Sequence, residues 1–309
     1  FTSKCDMTSS CPARGSLQDY DIHGVCLGPW NILQGHMSAK KTTGGHLRIH
    51  YSPEYCVKGG PETVSKACLV AGAVARELPD VKLVAPRPAE RDELSRIHSA
   101  GYLDRVFGAK GGYNAVGTWS QPLLDSVLAT TGGVRDSVDV ALKTGRSGSL
   151  SSGLHHAGRS YGAGFCTLNG LALGALRALE TVAEVGILDL DAHFGGGTAD
   201  ILSKDKRVRL SDVSVVDFDS WDVKDARRHH QELVSEHSRY LDAVDEALAR
   251  LKGVGFLIYN AGMDAHGRAG GLHGVDTEVI RERERRVVAW AGREGVPVTF
   301  ALAGGYKWG

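Results

Sequence analysis

No charge of one sign dominates this sequence. Its 36 Lys and Arg match its 36 Asp and Glu, a formal net charge of zero over 309 residues. That balance offers no general electrostatic pull toward nucleic acid or an anionic membrane. Apolar runs are short as well: none reaches the roughly 18 residues a membrane span needs. No basic start followed by an apolar centre marks a signal peptide. Six cysteines (Cys5, Cys11, Cys26, Cys56, Cys68 and Cys166) form no CxxC pair and no disulfide-framework spacing, which predicts free thiols in a reducing compartment. Internal repeats and low-complexity tracts are missing too. These absences leave a cytoplasmic chain, long enough to bury one large α/β core without staples.

What is plentiful is glycine. Forty of them suit a face rich in loops better than a helical bundle. Residues 1 to about 45 hold scattered Gly, Pro and Ser without sustained apolar periodicity, and Gly35-His36-Met37 has the form of a cloning junction or an internal start. They are expected to be a poorly structured extension, with a single domain over 46–309. The chain stops three residues after Tyr306, directly behind an apolar run, so that domain is expected to continue past Gly309.

From His46 onward, β-branched runs alternate with helical patterns, the mark of an open, mostly parallel sheet with helices on both faces. Strands are expected at Leu47 to Tyr51, Val81 to Val84, Val185 to Asp189, Val254 to Tyr259 and Val296 to Leu302. Helices are expected from Pro61 to Leu78, with Pro61 in the first turn, and in one or two pieces from Ala89 to Phe107. Val127, Thr131, Val134, Val138 and Leu142 recur at spacings of three and four, marking another helix face. Further helices are read from Leu168 to Val182 and from Asp225 to Leu251, with a charged surface helix from Asp276 to Glu294.

Three polar clusters then share one position. Asp189 to Gly197, Asn260 to His266 and Ala303 to Tyr306 each follow an expected strand. In open parallel sheets ligands bind beyond the carboxyl ends of the strands, so these loops should meet. Asp191 and His193 are two apart in extended chain and point to one side, able to grip one cation together. Asp264 would be a third ligand from a different strand, and three protein ligands with an open position are what a catalytic zinc requires. His155 and His156 stand in a small-residue loop ahead of Gly164-Phe165-Cys166, where imidazoles can divide the work of base and electrostatic stabiliser. Gly304 and Gly305 permit a turn with positive φ, after which Tyr306 can bring a phenol to an oxyanion.

Together these residues resemble the histone deacetylase and acetylpolyamine amidohydrolase family, from roughly His46 to the end of the chain. The likeness rests on Ile97-His98-Ser99-Ala100-Gly101-Tyr102-Leu103, His155-His156-Ala157, Gly164-Phe165-Cys166-Thr167-Leu168-Asn169, Asp189-Leu190-Asp191-Ala192-His193, Asn260-Ala261-Gly262-Met263-Asp264-Ala265-His266 and Gly304-Gly305-Tyr306. The resemblance implies the arginase/deacetylase fold, with the active site in loops at the strand carboxyl ends. It implies Zn2+ on Asp191, His193 and Asp264, and Tyr306 polarising the substrate carbonyl. It also implies His156 as general base and acid, His155 beside it, and Asp189 orienting His155 with a monovalent cation such as K+ nearby. Phe165, with Gly164, resembles one wall of an acyl-lysine channel, Leu272 its rim, and Gly305 part of the turn against the substrate.

The implied reaction is hydrolysis of an N-acyl amide, with acetyl-lysine, an acetylated polyamine or a small N-acyl compound as substrate. No nucleic-acid or membrane partner is expected, and the oligomeric state stays open. Some positions depart from the family pattern. Gly196 stands where an Asp or Asn usually orients the second histidine, which predicts a His156 without a partner. Phe194 replaces a frequent further histidine, and no acidic counterpart of a substrate-backbone clamp is evident near Gly117-Thr118-Trp119. Two other functions stay open: a zinc-binding pseudoenzyme that holds acylated ligands without turnover, and an arginase-like ureohydrolase. The second would need a further Asp where Gly195 stands.

Overall fold

The computed structural model describes residues 46–57, 62–108 and 120–306. The expectations for residues 1–45, Pro61, Gly117-Thr118-Trp119 and the chain after Tyr306 lie outside the described residues. In chain order the elements are β1 Leu47–His50, α1 Glu62–Glu77, β2 Val81–Val84, α2 Arg91–Leu94, α3 Ala100–Phe107, α4 Gln121–Thr144, β3 Arg146–Ser149, α5 Gly170–Ala178, β4 Val185–Asp189, α6 Gly196–Leu202, β5 Val208–Ser214, β6 His229–Leu233, α7 His237–Arg250, β7 Phe256–Asn260, α8 Thr277–Glu294 and β8 Val298–Ala301.

The eight strands form one sheet in the order β2-β1-β3-β8-β7-β4-β5-β6, and every pair is parallel. Helices cover both faces. One core cluster gathers α1, α7 and α8 side chains such as Val74, Val244 and Val287 against Leu257 and Tyr259. The other gathers α4 and α5 side chains such as Val134, Val138 and Leu171 against Ile187 and Ile258. All five residues of β4 and all five of β7 are buried, which is why those strands read as continuous apolar runs. This is the expected open parallel α/β architecture. Among the described residues no helix is long and apolar enough to cross a membrane.

Strand register positions the site. Ser149, Ala301, Asn260, Asp189 and Asp212 stand side by side at the carboxyl ends of β3, β8, β7, β4 and β5. Polar side chains from four of these five strands thus share one edge of the sheet, and the loops that follow the strands converge there.

Several expectations need correction. The helix read over Asp225 to Leu251 is an edge strand, β6, followed by α7: the apolar stripe begins only at Tyr240, and His229 Nε2 instead reaches the Ser203 carbonyl at 3.0 Å. Strands β3 and β5 are additions. The thiols are not all free, because Cys56 and Cys68 are disulfide-bonded with their Cα atoms 6.3 Å apart. The turn after β1 brings Cys56 to the flank of α1, a meeting that a separation of 12 residues does not advertise. Helix α8 is charged as expected but is not simply a surface helix, since Arg283 and Glu284 are buried.

Candidate active site

The loop after β4 carries Asp191 and His193, and the loop after β7 carries Asp264. Their ligating atoms all lie within 4.8 Å of one another. His193 Nδ1 faces both carboxylates, 3.2 Å from Asp191 Oδ1 and 3.4 Å from Asp264 Oδ2. Asp264 Oδ2 is buried without a hydrogen-bond partner, while Oδ1 accepts from Ala192 N–H at 3.1 Å. A buried carboxylate oxygen left unsatisfied is expensive, and a cation at this point would satisfy it. The Asp, His, Asp donor set therefore fits a divalent metal ion, zinc among them. Helix α6 starts at Gly196 with Gly195 as its cap and no side-chain capping bond, so Asp191 is not spent as a helix cap.

Charge in this cluster is strongly polarised. Burial works against ionisation of Asp191, yet the neighbouring His155 and His193 hold its carboxyl well below the usual range. Burial and the Asp191 charge push Asp264 up. Burial opposes protonation of His193, but Asp191 and Asp264 raise it to about 9.

His155 and His156 lie beside the cluster with ring centroids 4.0 Å apart. The loop that presents them is held by Asn169, whose Nδ2 donates to the Ala157 carbonyl at 2.9 Å while its Oδ1 caps α5 through Ala172 N–H at 2.8 Å. His98 supports the same wall: Nδ1 lies 2.9 Å from the Gly158 carbonyl, and Nε2 accepts from Asn169 N–H at 3.1 Å. Burial lowers His98 to about 4, so it is a neutral strut rather than an acid or base.

The two histidines differ in charge. His155 Nδ1 lies 2.9 Å from Asp189 Oδ2, and Asp189 Oδ1 accepts from Asn260 Nδ2 at 2.8 Å. Burial disfavours the His155 cation, but Asp189 and Asp191 raise it to about 10. For His156, burial and the His155 charge push the other way and lower it. At neutral pH the pair is one imidazolium and one neutral imidazole.

His156 is not without a partner. Its Nδ1 lies 2.8 Å from Asp219 Oδ2, and this corrects the expectation drawn from Gly196. Phe218, the preceding residue, sets its ring edge-on to His156 at 5.1 Å and to His193 at 5.8 Å between centroids. Neither residue is marked by the sequence motifs. Both sit in the loop after β5, where the strand-end rule would have directed attention had β5 been recognised.

Gly164 has φ +49°, and a Cβ there would lie 2.2 Å from His156 Cδ2; only glycine lets this loop lie against the ring. Phe165 follows at φ 64° with 43% of its surface exposed, and Phe218 is 45% exposed. Phe194 is instead buried. Gly304, at φ +52°, approaches Asp264 so closely that a Cβ would lie 2.0 Å from Oδ1. Lys66 Nζ donates to the Gly304 carbonyl, bracing the turn, and Gly305 continues it at φ +84°. Burial and the Asp191 and Asp264 charges push the Tyr306 phenol up, so it stays a proton donor. Leu272 is half-buried, bridged to His266 and packed on the core.

Comparison with known proteins follows the same lines. The histone deacetylase domain model matches residues 61–220. Histone deacetylase 2 of Arabidopsis thaliana is 28% identical over 250 residues, covering 74% of this chain and 64% of that protein. A protein of Picosynechococcus sp. whose name gives no function is 32% identical over 201 residues, 61% of this chain and 65% of its own length. A probable deacetylase of Methanothermobacter thermautotrophicus is 29% identical over 170 residues, 52% of this chain and 51% of the other. The chain thus spans less than two thirds of each of these relatives. Among solved structures the HDA15 HD domain superposes with a TM-score of 0.69 at 18% identity, covering 85% of both chains, a likeness of fold.

Proposed function

The chain belongs to the histone deacetylase family, and from that premise we propose that it is a zinc-dependent amidohydrolase that removes an acyl group, acetyl in the simplest case, from a primary amine. The observation that carries the reading is the placement of Asp191, His193 and Asp264 within 4.8 Å of one another, beside a histidine pair whose Nδ1 atoms are held by Asp189 and Asp219.

Asp191, His193 and Asp264 would hold the zinc ion, which would supply Lewis-acid polarisation of the amide carbonyl and of a water molecule. The chain's own groups do the rest. Neutral His156, with its Nδ1 proton directed to Asp219, keeps the Nε2 lone pair free to take a proton from the attacking water. The same Nε2 proton then passes to the departing amine. Charged His155, fixed by Asp189, opposes the negative charge that grows on the reacting carbon's oxygens. Tyr306, its phenol kept protonated, donates a hydrogen bond to the carbonyl oxygen as it becomes an oxyanion.

Two aromatic rings are exposed near this loop system: Phe218 meets His156 edge-on, and Phe165 follows Gly164, which itself lies against the His156 ring. They suit the aliphatic stem of an acylated lysine or polyamine, which is apolar along its length. The Asp189 carboxylate is already engaged by His155, Asn260 and Asp191 N–H, so we assign a monovalent cation near it no part in the reaction. A pseudoenzyme reading loses the motive that Gly196 gave it once His156 has a carboxylate partner. The ureohydrolase reading lacks the further carboxylate, and a side chain at Gly195 would start 2.8 Å from Asp189 Oδ2.

The test is release of free amine from fluorogenic acetyl-lysine and from acetylated polyamine, by zinc-loaded protein and by the same protein after chelation. Turnover by the zinc-loaded sample alone is expected. A folded, zinc-loaded sample that releases no amine from either substrate, while binding them, would instead support the pseudoenzyme.

A further inference from the structure

The loop between β5 and β6 does something that neither the strand-end motifs nor the zinc cluster requires. Asp219 adopts φ 60°, in the left-handed region that non-glycine residues seldom enter and that Asp tolerates better than most. This bend turns the chain just after Phe218, whose carbonyl accepts from Phe194 N–H at 3.0 Å. The result is a two-point grip on one ring: Phe218 meets His156 edge-on, and the Asp219 carboxylate meets its Nδ1 at 2.8 Å.

Gly196 explains why this grip is possible. Its backbone φ is not among the positive values, so chain geometry does not demand glycine. Space does. A Cβ on Gly196 would lie 2.4 Å from both Asp219 O and Asp219 Oδ1, and 2.6 Å from Cγ. Real Cβ contacts do not come so close, and two of these three atoms belong to the carboxylate that holds His156. A side chain at 196 and a carboxylate at 219 therefore exclude one another.

We infer that Asp219 is the positioning residue for His156, and that Gly196 is kept small to leave the Asp219 carboxylate its place. This rests on the proposed hydrolase reading for its kinetic expression but not for its geometry. A carboxylate on Nδ1 fixes the ring's orientation and tautomer, leaving Nε2 as the acceptor. Because Phe218 and Asp219 are consecutive, the loop that offers an aromatic wall to the substrate also sets the orientation of the base.

The exchange of the two residues is the test. Asp219→Gly removes the carboxylate at a position whose φ glycine adopts freely, so the fold should survive. Its kcat on acetyl-lysine should fall roughly 10²-fold with KM within about threefold. Gly196→Ala, ordinarily benign in the first turn of a helix, should fall by a similar factor because it displaces Asp219. The double variant Gly196→Asp, Asp219→Gly supplies a carboxylate from the helix instead and should regain at least about tenfold of the loss.

Ring 15N NMR of His156 gives a readout independent of turnover. The wild-type protein should show a single Nδ1–H tautomer, and Asp219→Gly a mixture. Retention of kcat within threefold in Asp219→Gly, or an unchanged tautomer signal, would overturn the inference. If wild-type protein proves inactive on acyl amines, the functional proposal fails while the tautomer measurement still decides the role of Asp219.

Discussion

Asp264→Asn should lower kcat/KM for amine release by at least about three orders of magnitude, yet leave the metal-free protein at least as stable as the wild type. The two halves of this result have one cause. Asp264 is buried, one of its oxygens has no hydrogen bond, and Asp191 is close by; burial and the Asp191 charge outweigh the nearby His193, so its folded-state pKa is raised. For an acid whose pKa rises on folding, the charged form is disfavoured in the fold. Stability from this group is full below the unfolded pKa and is lost as pH climbs through the folded one. At pH 7 the metal-free protein therefore carries a cost that an amide does not. Asn can keep the Oδ1 bond to Ala192 N–H but supplies no charge to hold zinc. Thermal melting of chelated protein at pH 7 beside steady-state rates of zinc-loaded protein reads both effects. Activity above a tenth of wild type would remove Asp264 from the metal site.

Replacing Arg283 with Met should cost about 3–5 kcal/mol of folding stability, the largest effect expected from any single change away from the metal cluster. The guanidinium is fully buried, and it donates to the Gly262 carbonyl at 2.7 Å, the Leu190 carbonyl at 3.2 Å and the Tyr240 hydroxyl at 3.1 Å. It is also paired with Glu284, which accepts from Tyr259 OH at 2.9 Å. Leu190 precedes Asp191 and Gly262 precedes Asp264 by two, so one side chain ties together the two loops that bring the carboxylates to one point. Met fills the volume but leaves a buried carboxylate and two carbonyls without their donor. Lys should fare little better, because one ammonium cannot span the same fan of acceptors. Urea unfolding measures the loss; a change under about 1 kcal/mol would mean that the loops hold themselves.

The candidate site was legible where its residues follow apolar strands. Asp191, His193, Asp264 and Tyr306 each come directly after a run buried on both faces, and such runs stand out without tertiary information. What escaped notice lies where burial is polar. Strand β3 reads Arg-Ser-Gly-Ser and has no apolar residue; it belongs in the sheet because Gly148 lets the Phe300 ring lie against its backbone, where a Cβ would be 2.2 Å away. In β5, Ser211 bonds to the Ala247 carbonyl and Ser214 to that of Val216, so these buried hydroxyls are satisfied by carbonyls that the sequence does not point to. Missing β5 meant missing the loop after it, and with that loop went Phe218 and Asp219. The interior place of Arg283 was hidden in the same way. A helix with many charges reads as a surface element, and only the packing reveals which charge has turned inward.

The most direct measurement is anomalous diffraction at the zinc edge from crystals of the zinc-loaded protein. The account requires a single strong peak bounded by Asp191, His193 and Asp264, within bonding distance of all three and on the side of His155 and His156. A peak elsewhere, or zinc bound with these three residues uninvolved, would contradict it.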